Sequence, residues 1–365
     1  MKNNERIARE PLFHIAKRDT IVWWKAWLIR IAAVLAALLV CGLVAAILTK
    51  GSFSSFYANL FKGVFQTERR IWNLLQNIAM LLCVALAVTP AFKMRFWNIG
   101  AEGQTLVGAL ACAACMFYFG GKVPDPLLIL IMFCASITAG AIWAVIPAIF
   151  KAQWNTNETL FTLMMNYVAI ALVAYCINVW VTSGSAVLGI LEHGHLPSLG
   201  ENAYLLNIII VGILTGLVYI YLSYSKHGYE LSVVGESLNT ARYIGINVKK
   251  VIIRTMIFSG VLCGMAGFLL VGGTSHTVTT ETVAGRGFTA ILVSWLAKFN
   301  PLYMVLTAFL VIFLQQGAAQ VSTVHRLGNA FPEIITGIFF FFIIGCEFFI
   351  GYQIKFRSLK KEAKV

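Results

Sequence analysis

The chain has 365 residues, of which 59% are hydrophobic and only 12% charged. A soluble globular chain carries about 45–50% apolar and about 25% charged residues, so one water-soluble domain is excluded and a bilayer must act as the solvent. The formal net charge of +13 does not mark a nucleic-acid binder, because Lys and Arg gather at the chain ends and in one internal stretch, the pattern that encodes membrane topology.

Residues 1–25 form a polar, basic segment, read as cytoplasmic. The apolar stretch that follows is too long for a signal-peptide core and has no small-residue cleavage site, so it reads as an uncleaved first membrane helix. A helix needs about 20 apolar residues to cross roughly 30 Å of hydrocarbon, and only a helix satisfies its own backbone there in a pattern this rich in Leu, Ile, Val and Phe. Ten segments qualify: 26–48, 71–92, 97–119, 127–150, 158–182, 203–225, 254–273, 286–298, 302–317 and 331–352. The eighth and ninth are short, divided by Lys298, Asn300 and Pro301. No linker is long enough to fold alone. The expected fold is therefore all-α: one transmembrane domain over 26–352, an inside loop over 226–253 and a cytoplasmic tail over 353–365.

With the N-terminus inside, 21 of the 28 Lys and Arg fall in inside segments and seven in outside ones. That bias predicts cytoplasmic termini and an even number of crossings.

All eight cysteines lie in apolar segments, so no disulfide framework is expected. Cys112 and Cys115 have C-x-x-C spacing but read as small helix residues. His193 and His195, in an outside loop over 183–202 with Glu192 and Glu201, read as solvated, and no metal site is expected. The chain has no G-x-x-x-x-G-K-[ST] run, no H-E-x-x-H and no nucleophile elbow, so no catalytic residue and no cofactor are assigned to it.

Four polar constellations stand out against the apolar background. Asn98, Glu102 and Gln104, with Gly100 and Gly103 between them, lie at membrane depth, where acids and amides must face protein or water. They are candidates for the solute path, as well as for helix–helix hydrogen bonding. Glu158, Thr162 and Asn166 recur at four-residue steps and share one helix face. Asn157, Glu158 and Asn166 join the path candidates, with Asn155 and Glu158 also spaced as a capping box. In the inside loop, Leu238, Ala241 and Arg242 lie at helical spacing and Gly245 is a natural stop, a short helix suited to docking on a partner. Glu333 and Glu347 fall in the last apolar segment. Finally, 96–104 and 285–288 are both Gly-rich polar breaks ahead of apolar runs, as in the inverted repeats of transporters.

Residues 96–104 (F-W-N-I-G-A-E-G-Q), 155–167 (N-x-N-E-x-x-x-T-L-M-x-N-Y), 235–248 (G-x-x-x-x-x-A-R-Y-x-G-I-N-V), 259–267 (S-G-x-x-x-G-x-A-G) and 285–288 come in one order across most of the chain. In them the sequence resembles permease subunits of ATP-binding-cassette importers for nucleosides and simple sugars, the ribose and branched-chain amino acid permease-like family. Arg286 stands where many relatives carry Tyr. The resemblance implies a bundle of the type II importer permease kind, with about ten helices and an inverted repeat, in the cell membrane. It implies a cytoplasmic ATP-binding subunit holding ATP and Mg, a second permease subunit, homologous or identical, and an extracellular substrate-binding protein. The cargo would be a small polar solute and not nucleic acid. It places Arg286 and Phe288 beside the path, and Glu236, Asn239, Arg242, Tyr243, Gly245 and Asn247 in the segment that meets the ATPase. The expected function is ATP-driven nucleoside import by alternating access. The alternatives are a ribose- or galactose-like sugar importer and an ion-coupled transporter using Glu102, Glu158 or Glu347.

Overall fold

The computed structural model describes residues 13–18, 22–49, 53–181, 187–200, 202–328 and 330–356. Most of the two terminal segments, residues 183–186 and Glu201 of the expected outside loop lie outside the described residues. The chain divides into two compact units, residues 64–316 and residues 1–63 with 317–365.

In the larger unit, α3 (Glu68–Lys93), α4 (Ala101–Phe119), α5 (Asp125–Trp154), α6 (Glu158–Trp180), α7 (Leu205–Tyr224) and α10 (Val248–Leu270) are long apolar helices. Two short helices, α8 (Lys226–Glu236) and α9 (Leu238–Tyr243), occupy the expected inside loop, and α11 (Arg286–Leu296) and α12 (Pro301–His325) follow. The smaller unit contains β1 (Phe13–Lys17), α1 (Trp23–Thr49), α2 (Phe53–Phe65), the end of α12, α13 (Ala330–Gly351) and β2 (Tyr352–Phe356). Among the described residues nine helices are long and apolar enough to span a membrane, and α11 is a shorter apolar one. These ten correspond one for one to the predicted segments.

Three local differences have physical causes. α2 was not expected: at 13 residues it is too short to cross. The seventh predicted segment begins earlier, at Val248, because the Asn247 side chain caps it by accepting from Lys250 N at 3.1 Å. Asn155 does not cap α6; it ends α5 in a left-handed conformation (φ 51°), and Asn157 is the cap, accepting from Leu160 N at 3.1 Å.

The core of the larger unit is built around α10, which packs on α3, α4 and α5. Small residues make this possible where lipid supplies no hydrophobic drive between helices. A methyl group at Gly264 would overlap the Ser136 carbonyl of α5, and one at Gly108 would sit 2.7 Å from Gly264 Cα. In the smaller unit β1 and β2 pair antiparallel, Phe13 opposite Phe356 and Lys17 opposite Tyr352. This ribbon adds a little strand to an otherwise helical protein and pairs residues 13–17 with residues 352–356.

Candidate solute site

The chain breaks between α3 and α4. Residues 94–100 are not helical, and Arg95 is left-handed (φ 59°). Asn98, fully buried, donates from Nδ2 to Ser259 Oγ at 3.3 Å. Ser259 lies midway along α10, so the break sits near the middle of that helix's crossing. Asn98 and Gln104 pair their amides reciprocally, at 3.1 and 3.3 Å, and Asn98 Oδ1 also accepts from Gly100 N at 3.0 Å.

α6 secures the other flank. Thr162 Oγ1 accepts from Ile99 N at 3.1 Å, while Asn166 accepts from Gly103 N at 2.8 Å and donates to Ile99 O at 2.9 Å. The shared face foreseen for Thr162 and Asn166 is thus the seam that holds the break. A Cβ at Gly103 would lie 2.8 Å from Asn166 Oδ1, so only glycine allows this approach.

Glu102 then joins the two Gly-rich breaks. Its carboxylate accepts from Gly285 N at 2.8 Å and Gly287 N at 2.7 Å, and so caps α11. A carboxylate there meets both free amides and the positive end of the helix dipole. Gly285 has φ 71°, and a Cβ on Gly287 would collide with the Glu102 backbone, which explains both glycines. Arg286 touches Asn77 and Ser294 touches Thr89, so α11 runs in the same direction as α3. At 11 residues it is about 16 Å long, roughly half a crossing.

Beside this junction lies a cavity of about 280 Å³, lined by Asn73, Gln76, Asn77, Tyr204, Thr277 and Arg286 among others. Arg286 donates to Asn77 Oδ1 at 3.0 Å and to Val283 O at 3.1 Å. Gln76 is only 3% exposed, yet neither its amide nitrogen nor its amide oxygen has a hydrogen-bond partner. Buried polar groups are nearly always paired, so an orphaned amide at a cavity wall marks a place where something else supplies the bonds. A primary amide offers a donor and an acceptor side by side, a match for hydroxyls or for a base edge.

A loop covers the end of α10 next to this cavity. The helix finishes in a π turn, Val271–Ser275, and His276 follows in a left-handed conformation (φ 50°). Leu196 N donates to Gly272 O and Leu191 N to His276 O, each at 2.9 Å, and Thr277 Oγ1 donates to Leu188 O at 2.8 Å. His195 stacks on His276 with ring centroids 3.8 Å apart. His195 is thus half of a ring stack, not merely a solvated loop residue. Burial, then the His195 ring, hold the His276 imidazole below its ordinary pKa.

Of the residues singled out in the sequence, Arg286 lines the cavity. Asn98, Glu102, Gln104 and Asn166 form the hydrogen-bonded junction. Phe288 is exposed and does not line the cavity. Asn157 caps α6, and Glu158 pairs with Lys151 at 2.8 Å. Glu158 lines a second, larger groove of about 970 Å³ with Glu236, Asn239, Arg242 and Asn247. Next to that groove, Tyr243 is 92% exposed at the end of α9, and Gly245 (φ 83°) turns the chain away. Asn73, Gln76 and Asn77 were missed. Their signal was present as three amides at i, i+3 and i+4 within an apolar helix.

Long apolar helices, two broken segments meeting midway along α10 and a polar cavity beside them define a multi-pass membrane transport protein. The chain belongs to the branched-chain amino acid transport system / permease component family, whose profile matches residues 70–344. It is 27% identical to a glucose ABC transporter permease protein of Haloferax volcanii, over 92% of each chain. It is 28% identical to the guanosine ABC transporter permease protein NupP of Bacillus subtilis, over 86% of this chain and 90% of that one. It is 26% identical to the nucleoside ABC transporter permease protein NupB of Lactococcus lactis, over 79% and 82% respectively. These relatives are transport subunits, and this chain is likewise a permease component.

Proposed function

We propose that this chain moves nucleosides inward across the cell membrane, driven by ATP hydrolysis on a separate cytoplasmic subunit. The observation that carries the proposal is the orphaned Gln76 amide in a cavity that Asn73, Asn77 and Arg286 also line. About 280 Å³ lies just below the roughly 300–1,000 Å³ usual for ligand pockets, which suits one small solute such as a nucleoside or sugar and not an oligomer. The guanosine and nucleoside permeases among the relatives support the nucleoside reading. The Haloferax relative favours glucose as the second reading.

Coupling would run through α8, α9 and α10. Tyr243, Arg242 and Asn239 are exposed together on or beside α9, a surface for an ATPase groove. Arg254 of α10 holds Glu230 of α8 at 2.8 Å, so a pull on this surface reaches the helix that carries Ser259 and the covering loop. The ATPase would bring ATP and Mg, an extracellular binding protein would deliver the solute, and a second permease subunit would complete the passage. Both termini would face the cytoplasm, the orientation that the distribution of Lys and Arg favours. Ion coupling has less support, because Glu102, Glu158 and Glu347 each have a partner within the protein.

The test is uptake by the reconstituted complex in vesicles. Labelled guanosine should accumulate with ATP and persist when ion gradients are collapsed. Glucose uptake without guanosine uptake would select the second reading, and loss of uptake with the gradient would end the ATP-driven one. Arg242→Glu should reduce ATPase retention on purification by about tenfold, equivalent to about 1.4 kcal/mol, while membrane insertion is unchanged. Full retention would remove Arg242 from the docking surface.

A further inference from the structure

The smaller unit holds a groove unrelated to the solute cavity. It has a volume of about 610 Å³ and runs between α1 and α13, lined by Ile29, Ala32, Ala33, Phe341, Phe342 and Phe349, with Arg18 and Gln353 at one end. Phe341 is 75% exposed, so the groove wall continues onto an open apolar surface.

Two features identify what fills it. The first is depth. Trp23, Trp24 and Trp27 are exposed at the start of α1, and exposed Trp marks the boundary between headgroups and hydrocarbon. From Trp24 to Ala33 the helix rises about 14 Å, roughly one leaflet of the hydrocarbon core. The polar end of the groove is therefore level with lipid headgroups and its apolar wall with one acyl layer.

The second is charge. Arg18 is tied to α13 through its backbone, N to Gly351 O at 2.9 Å, but its buried Nε makes no hydrogen bond. Exposed Lys17 and Lys25 lie close to it in the chain. The acids among the described residues of this unit lie elsewhere: Glu333 is in the first turn of α13, at the end opposite Gly351, and Glu347 is held by Arg30 at 2.8 Å. A guanidinium whose buried Nε is unpaired, above an apolar slot of one leaflet's depth, matches a molecule with a phosphate head and a hydrocarbon tail.

We infer that this groove binds one anionic phospholipid, its phosphate on Arg18 and its acyl chain along Ala32, Ala33, Phe342 and Phe349. The lipid bridges the first and last membrane helices and adds to the clamp made by Arg30 and Glu347. A basic residue near the surface is worth about fivefold in affinity for anionic over zwitterionic lipid.

The experiment uses the purified full-length chain within its complex, with native mass spectrometry after exchange into mixtures of phosphatidylglycerol and phosphatidylcholine. Wild type should retain phosphatidylglycerol with about fivefold preference, and Arg18→Gln should bring the two lipids to parity. Gly345, on the groove wall, has nothing within 4 Å of its Cβ position, so Gly345→Leu fills the slot without strain and should lower occupancy by both lipids. Equal retention of the two lipids by wild type would overturn the inference. So would a preference that survives both variants, or one abolished by excess inorganic phosphate alone.

Discussion

The junction around Asn98 and the cavity beside Gln76 both hold buried amides, yet they differ in one physical respect. At the junction each amide is matched: Asn98 with Gln104 and Ser259, Asn166 with the backbone of Ile99 and Gly103. In the cavity Gln76 is buried to the same degree and matched by nothing. Polarity at membrane depth therefore does not by itself locate a solute. A satisfied polar group holds the fold together, whereas an unsatisfied one at a cavity wall, as Gln76 is, leaves its bonds open to a ligand. The difference also separates the parts of a transporter that must stay fixed from those that must exchange partners at each turnover.

The strongest challenge to this comparison is Glu102→Ala. It leaves the amides of Gly285 and Gly287 unpaired, at a cost of about 1–3 kcal/mol each, and detaches α11 from α4. Thermal unfolding of the detergent-purified chain should show a loss of roughly 2–6 kcal/mol, with uptake abolished. A wild-type melting profile would mean that the junction is not structural. Asn166→Ala should act in the same way but more weakly, by about 1–3 kcal/mol, because Gly103 N and Ile99 O lose a neutral partner and not a charged one. If Asn166→Ala changed only the apparent affinity for solute, Asn166 would belong with Gln76.

These contrasts explain what was legible in the sequence. The ten apolar segments could be read because burial in lipid imposes length and composition on each. The two Gly-rich breaks could be read as a pair, and the structure joins them through Glu102 and the backbone of Gly285 and Gly287. α2 could not be read, because a helix of 13 residues is under no demand to span. Whether an amide is satisfied depends on what faces it across the bundle, as Ser259 does for Asn98 from 161 positions away. For that reason Asn98 and Glu102 stood out as path residues, while Gln76 went unnoticed. Asn155 and Asn157 show the same limit at close range: both suit a helix end, and only the backbone shows that one closes α5 and the other opens α6.

A smaller effect sharpens the comparison at the edge of the cavity. The folded protein holds His276 below its ordinary pKa, through burial and then the stacked His195. Below about pH 6.5 the unfolded or detached loop binds more protons than the folded one. The contribution of this contact is therefore complete above that pH and declines as the pH falls below it. Amide exchange at Leu191 and Leu196, whose N–H groups donate to His276 O and Gly272 O, should accelerate severalfold from pH 7 to pH 5.5 after correction for intrinsic rates. His276→Phe should flatten that dependence. Protection independent of pH in wild type would separate the histidine stack from closure of the loop.

The most direct measurement is Gln76→Leu, followed in parallel by unfolding and by nucleoside uptake in the assembled complex. A leucine removes an orphaned amide and keeps the volume, so stability should stay within about 1 kcal/mol of wild type or rise. Uptake should fall by about tenfold or more with the ATPase fully retained. A Gln76→Leu protein that transports like wild type, or one that unfolds as readily as Glu102→Ala, would contradict the assignment of this cavity to the solute.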